Sequence, residues 1–457
     1  MPRVSTDSPA TDADGAGRAA PPSVTHNGDV RWSFSPATTA TVAVAVVLAT
    51  AGLALARIDL ALLALPFAVS AAWAWDRRPA SGERSTLEVR LDAVPSRGRL
   101  GVGLTFAAPE AVDAVVLRLS DVGGLGGEPQ EVVVTPEVAR RLSASVPVPH
   151  SGPRELMRVE YRLLGVDAAH TSQPVGPVAV STVIRPRHAA ITSLPLPPRL
   201  RGLTGSHDSA RPGDGGDFRD VHPFAPGDRM RRVDWKATAR RGRFDGDLYV
   251  RRTAALADAT VLIVLDSRDD VGERVAEWSM SAGVGKRAGS LDIAREAASS
   301  IAAGYIRAGD RVGFQDLATH RRMVTAGGGG RHLSRLLRAI ELTSPSDVPP
   351  HRQRAPIVTP GALVYVLSTF LDDEAARMAA MWRANGHRVI AVDVLPVADL
   401  TGTRSSVRIA HRIVMMERVD RVRALRAQGV DFLRWRDPSS HPDAALLALT
   451  RVHHGRR

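Results

Sequence analysis

The chain of 457 residues contains no cysteine. Disulfides and thiolate metal sites are excluded, while the compartment stays open, because a chain without thiols reads the same in oxidising and reducing surroundings. Lysine is scarce as well: Lys236 and Lys286 stand against 58 arginines. The net charge of +12 therefore reads as drift toward arginine in an alanine-rich chain, which raises the isoelectric point without building a nucleic-acid patch. Several catalytic signatures are missing. Gly285-Lys286 is followed by Arg287 and lacks the upstream glycine of a phosphate loop. There is no Gly-x-Ser-x-Gly elbow and no Cys-His pair; His351, His387 and His411 stand far apart, and His453-His454 lie in a basic tail. Nothing here names a nucleophile, and the expectation is a protein that is not an enzyme and needs no cofactor.

What is present divides the chain. Its length suggests about two to three domains. Residues 1–35 are small and polar, with too little apolar surface to offset ordering, and read as a disordered tail. Residues 36–76 change character: Ala37 to Ala56 carries no charge, and Leu60 to Trp75 is nearly all apolar. Each arm approaches the ~20 residues that cross a bilayer, so a transmembrane helical hairpin is expected. Arg31 precedes the first arm, Arg77 and Arg78 follow the second, and Arg57 at the turn is balanced by Asp59. By the charge bias of flanking loops, both ends face the cytoplasm, with Trp73 and Trp75 at the interface.

Residues 84–186 break into short alternating runs such as "STLEVRLDAV" and "RVEYRLLGV" separated by Gly and Pro, the pattern of a small antiparallel β-sandwich-like domain. Residues 187–254 form a proline-rich connector and a dense charged segment. From 255 to 457 strands and helices alternate: "TVLIVLD", "SLDIAREAASSIAAGYIRAGD", "RVGFQDL", "HLSRLLRAIEL", "ALVYVLST", "DDEAARMAAMWRANG", "HRVIAVDVL", "RVDRVRALRAQG" and "VDFLRW". Buried parallel strands read as continuous apolar runs, so a doubly wound α/β domain is expected, with ligands at the carboxyl ends of its strands. That places Asp266 and the "DSRDD" run (266–270) at the expected site.

The charged segment, "GGDFRDVHPFAPGDRMRRVDWKATARRGRFDGDLYV" (215–250), shows no clean helix or strand period. Pro226 presets a turn and Gly227 permits its next residue, which delivers Asp228 to a fixed place. Arg231, Arg232, Asp234 and Lys236 alternate closely enough to form an ion-pair lattice around a docked Trp235. Two readings stay open: an interdomain clasp, in which charges fix geometry, and a partner-docking surface, since Trp and Arg are enriched in hot spots.

This segment is similar to the signature of the domain-of-unknown-function 58 (DUF58) family. The match is carried by Asp217-Phe218 with Arg219, Pro226-Gly227-Asp228, Arg231 or Arg232, Asp234-Trp235-Lys236, Arg240 and the strand "DLYVRR"; His222 and Phe224 stand where the family commonly has arginine and tyrosine. The α/β region resembles a von Willebrand factor A domain, whose first strand ends in an Asp-x-Ser-x-Ser metal motif. Here both hydroxyl positions are replaced, by Arg268 and Asp270, and the later element reads Ser368-Thr369-Phe370. A magnesium ion wants oxygen ligands, and Arg268 adds a charge and no acceptor. The resemblance thus implies a degenerate site at Asp266, Asp270 and Thr369, with Arg268 paired to an acid.

The family resemblance further implies a membrane-anchored scaffold working with a MoxR-type AAA+ ATPase on an unknown client protein. Two alternatives remain at this stage. One is a metal-dependent adhesion module facing outward. The other is a polyanion-binding protein or hydrolase using residues 185–252, which hold fifteen Arg or Lys against eight Asp.

Overall fold

The computed structural model describes residues 4–5, 23–80, 82, 84–92, 98–109, 112–120, 122, 127–135, 141–198, 200, 205, 207–244, 246–278, 288–319, 323–345 and 354–454, without the side chains of 4–5, 92, 166, 208–217 and 451–454. Its contacts divide it into two units, residues 1–149 with 154–182 and residues 150–153 with 183–457.

The first unit runs β1 (Val4–Ser5), β2 (Ser23–Asp29), β3 (Trp32–Phe34), α1 (Pro36–Ala54), α2 (Ile58–Asp76), β4 (Arg84–Asp92), β5 (Arg99–Ala107), β6 (Val112–Ser120), β7 (Gln130–Val134), β8 (Arg141–Pro147), β9 (Gly152–Gly165), β10 (His170–Ser172) and β11 (Val175–Ile184). Both helices are 19 residues, long and apolar enough to cross a membrane. Ser35 caps α1 by accepting from Thr38 N–H, and Pro36 occupies the first turn, where its missing donor costs nothing. Gly52 lets the helices meet, since a Cβ there would lie 2.7 Å from the Ala61 nitrogen. At the turn Arg57 pairs with Asp59 at 2.6 Å, the local balance that the sequence suggested. Val46, Val47, Leu53, Leu62, Leu63 and Val69 are all exposed.

Two antiparallel sheets accompany the hairpin, in the orders β1-β8-β5-β4-β2 and β3-β10-β9-β6-β7, with β11 on β9. Alternate residues are buried, for example Val115, Leu117 and Leu119 along β6. Tyr161 of the second sheet joins the first, edge-on to Phe106 (centroids 5.9 Å) and 2.9 Å from the Ser85 hydroxyl. The tail expected to be disordered contributes strands: residues 23–29 pair with 84–90 of β4, and residues 32–34 pair with β10. Composition missed this because ladder hydrogen bonds from a neighbour, not apolar side chains, order an edge strand.

The second unit contains β12 (His207–Pro223), α3 (Trp235–Arg241), β13 (Tyr249–Ala257), β14 (Thr260–Leu265), α4 (Ser290–Arg307), β15 (Arg311–Asp316), β16 (Met323–Gly327), α5 (Gly330–Glu341), β17 (Leu363–Ser368), α6 (Glu374–Ala384), β18 (Arg388–Asp393), α7 (Ser405–Ala427), β19 (Asp431–Arg434) and α8 (Pro442–His454). One sheet has the order β16-β15-β14-β17-β18-β19, parallel except for β16. Along β14, Val261, Ile263 and Leu265 enter one core with α4 and α5, whereas Val264 enters the other with α6. Both faces are therefore covered, and each strand had to read as continuously apolar. The strand order reverses direction at β14, whose neighbours β15 and β17 leave it on opposite sides, and open α/β sheets bind ligands at such a switch point.

Residues 150–153 are held within this unit. Asp292, in the first turn of α4, accepts from His150 Nδ1 (2.7 Å), Ser151 N (2.6 Å), Ser151 Oγ (2.9 Å) and Gly289 N (2.9 Å). Arg295 donates to Ser151 O at 2.8 Å and to Thr343 O at 2.6 Å. Gly152 is required here: its φ is +87°, and a Cβ would lie 2.7 Å from the Arg295 guanidinium.

Candidate functional site

Two groups of residues qualify, one at the switch point and one on the signature segment.

Arg268 follows the carboxyl end of β14 and lies between Asp266 and Asp372. Its guanidinium forks onto Asp266, Nε to Oδ1 and Nη2 to Oδ2, both at 2.8 Å. The other edge donates to Asp372, Nη1 to Oδ2 at 2.6 Å and Nη2 to Oδ1 at 2.9 Å. Glu374 lies 3.3 Å from Nη1. Ser368, at the end of β17, donates to Asp266 Oδ2 at 2.8 Å, and Ser267 donates to Asp316 at 2.6 Å. The side chain of Arg268 is only 5% exposed; burial disfavours its charge, yet bonds to Asp266 and Asp372 more than offset this and raise its pKa. A planar five-donor fork suits two carboxylates as an ammonium would not.

The loop after β17 that brings in Asp372 is itself gripped by α7. Arg418 donates to Thr369 O at 2.7 Å, and Arg421 donates to Phe370 O at 2.9 Å and pairs with Asp373. Phe370 is wholly buried at φ +53°, a backbone region that an aromatic residue occupies only when its surroundings impose it.

The three residues named as a degenerate metal set are each engaged by another group of the chain. Asp266 holds Arg268; Asp270 accepts from Leu291 N at the start of α4 (3.1 Å); the Thr369 hydroxyl accepts from Leu371 N (3.4 Å). Among the described residues no group of three or more His, Asp or Glu is disposed to hold a metal ion. Any divalent ion entering beside Asp266 would first have to expel a buried, doubly forked cation. Asp372 and Glu374 are the partners that sequence reasoning missed. Both lie in "LDDE", where acids at a helix start already have a sufficient explanation in the helix dipole.

Asp269 beside this cluster is raised to about 6, by burial first and then by the charges of Asp266 and Asp372, with Arg268 opposing. The unfolded chain loses this proton near 3.8, so stability falls as pH rises from about 4 to about 6 and is level above. Asp269→Asn is therefore expected to match the native chain below pH 4 and to exceed it by about 2 kcal/mol above pH 6, after allowance for partial exposure. Urea unfolding across that range checks this; parallel curves would remove the electrostatic reading.

The signature segment is a two-stranded arm. β12 pairs antiparallel with β13 along His207 to Pro223, with three register shifts. Asp217 lies on β12, its side chain outside the described residues. Phe218 is exposed and carries the Arg251 guanidinium 5.1 Å from its ring centroid; Arg219 makes a surface pair with Asp220 at 3.7 Å. Pro226-Gly227 forms the expected turn, with Gly227 at φ +100°. Asp228 closes it by accepting from Ala225 N at 2.9 Å, and lies 3.7 Å from Arg252 and 3.8 Å from His222. Asp234 caps α3 by accepting from Ala237 N at 2.9 Å.

Trp235 is not docked in an ion-pair lattice: it is 68% exposed. Asp234, the acid expected in that lattice, accepts from a backbone N–H as the α3 cap, and nearby Asp228 and Asp247 likewise accept from backbone N–H groups, in a turn and under Arg243 and Phe244. Arg231, Lys236 and Arg240 are exposed, Arg232 is half-buried, and Phe244 beyond them is 79% exposed. The arm thus presents exposed aromatic rings among cations.

No curated protein and no solved structure matches the chain. Residues 220–401, which span most of the arm, the Arg268 cluster and the strands to β18, match the model of the family described as "Protein of unknown function DUF58". Residues 220–401 are thus a DUF58 region of the chain.

Proposed function

We propose that this chain is a membrane-anchored, non-catalytic adaptor. α1 and α2 span the bilayer with both ends on the cytoplasmic side, a reading supported by apolar surface exposed along both helices and by Arg31, Arg77 and Arg78 at the shared end. The α/β region is a von Willebrand factor A-like domain in which Arg268 replaces the metal; the β14 switch point and the antiparallel β16 are compatible with that fold. The signature arm docks a partner, which the family resemblance makes a MoxR-type AAA+ ATPase that supplies nucleotide chemistry and acts with the adaptor on a client complex.

The observation that carries this reading is the exposure of Trp235 at the head of α3, with Phe218, Met230 and Phe244 also exposed. Exposed rings among arginines are the composition of an interface hot spot. An adhesion module would need a complete metal shell and the opposite topology, whereas Asp266 and Asp372 here accept from Arg268. The test is recovery of the ATPase from solubilised membranes. Trp235→Ala should reduce it at least about tenfold, the loss of one hot spot, with the thermal midpoint unchanged. Undiminished recovery removes the arm as the docking surface, and a C-terminal reporter active only outside the cell removes the topology.

A further inference from the structure

At the charged end of the hairpin, Phe34, Thr39, Val42, Ala71, Ala72 and Trp75 line a crevice of about 390 Å³. Its polar lining is slight, because the Thr39 hydroxyl already donates to Ser35 O at 3.0 Å. Phe34 and Trp75 stack at 5.5 Å between centroids, and Val42 is both a wall of the crevice and 42% exposed on α1. In a bilayer, hydrocarbon would reach its mouth directly.

Beside the crevice are buried donors without acceptors. β3 pairs with β10 so that His170 faces Phe34 and Ser172 faces Trp32. The His170 ring lies 5.1 Å from that of Phe34. His170 is 1% exposed and neither of its ring nitrogens has a partner among the described residues; the same is true of the Trp32 indole nitrogen. Both residues border one glycine: a Cβ on Gly165 would lie 3.3 Å from the His170 Cβ and 3.5 Å from the Trp32 ring. Buried N–H groups are rarely left unpaired, so two of them at one place point to an absent acceptor. Burial, and then the charge of Arg78, favour the neutral imidazole, which offers one N–H and one lone pair. Arg78 follows α2, and the Arg77 guanidinium rides 4.2 Å above the Trp73 ring.

An occupant complementary to these groups is long and apolar at one end and anionic with free acceptors at the other. We infer that the crevice holds one acyl chain of an anionic phospholipid, its phosphate taken by Arg78 and by the N–H groups of Trp32 and His170. The inference rests on the reading of α1 and α2 as membrane spans. An anchored protein that keeps one such lipid at this foot would favour anionic regions of the bilayer.

The full-length chain in detergent, titrated with dioleoylphosphatidylglycerol or dioleoylphosphatidylcholine and observed by native mass spectrometry, tests this. One phosphatidylglycerol per chain is expected, retained about five-fold more tightly than phosphatidylcholine, the effect of one arginine near an anionic headgroup. Arg78→Gln, at an exposed position just beyond α2, should abolish the preference, and Ala72→Phe, which fills the crevice, should abolish retention. Equal retention of the two lipids, or retention unaltered in both variants, overturns the inference. Alkaline washing of native membranes separates this from failure of the span itself: release into the wash refutes the spans, whereas a chain that stays in the membrane and shows no lipid preference refutes only the lipid site.

Discussion

Arg268→Ala is expected to destabilise the α/β unit by about 3–5 kcal/mol, the range for removing one partner from a buried ion pair. Two of the carboxylates it serves, Asp266 and Glu374, have side chains no more than 5% exposed and would lose its guanidinium while still buried. Asp372 is about half exposed and can rehydrate, so it adds little to the loss. Millimolar Mg2+ should recover part of the loss in the variant while leaving the native chain unchanged, because only the variant leaves the Asp266 and Asp372 oxygens without this guanidinium. Urea unfolding with and without Mg2+ measures each. A variant within about 0.5 kcal/mol of the native chain, the range of ordinary surface substitutions, would mean that Arg268 is not the built-in cation of this site.

Asp292→Ala is the second large effect, again about 3–5 kcal/mol, since it orphans donors that water cannot reach. His150, Ser151 and Gly289 lose their acceptor together, and Arg295 beside them is 2% exposed. Burial pushes the Asp292 carboxyl up, but bonds from His150, Ser151 and Gly289 outweigh it and hold it at about 2. The unfolded value is 3.8, so this stabilisation is complete above about pH 4 and is lost as pH falls toward 2, a change of order 2 kcal/mol. Asp292→Asn, which keeps one acceptor oxygen, should fall between the native chain and alanine and lose the acid dependence. If both variants unfold in acid along the native curve, the clamp on residues 150–153 is not electrostatic.

Much of the second unit was legible because burial on both faces leaves a mark that needs no context. The runs "TVLIVLD", "ALVYVLST" and "HRVIAVDVL" contain β14, β17 and β18 whole, each strand falling short of its run by one or two residues at an end. β16, "MVTAG", left no such mark, because an edge strand buries little and its pairing is decided by β15. α7 begins at Ser405, thirteen residues before the helix expected from Arg418, since Ile409, Ile413 and Met416 on its outer side are exposed and blur the apolar period. The arm was illegible as strand for a related reason: β12 carries three register shifts, and a slipping register breaks the twofold alternation on which strand reading depends.

The Asp228 turn and the Asp234 cap follow from local chemistry, a fixed proline dihedral, a permissive glycine and a carboxylate within reach of the next N–H groups. The two apolar helices likewise follow from runs of about twenty residues. Such features act within a few residues, so the sequence by itself determined them. The company of Arg268 did not follow: Asp372 stands 104 positions away and arrives only because β14 and β17 are neighbours in the sheet. Nor did the exposure of Trp235, which depended on whether the nearby acids would choose side chains or backbone. Tertiary structure decided both, because a charge selects among partners by distance in space and by what else competes for them, and neither quantity is written along the chain.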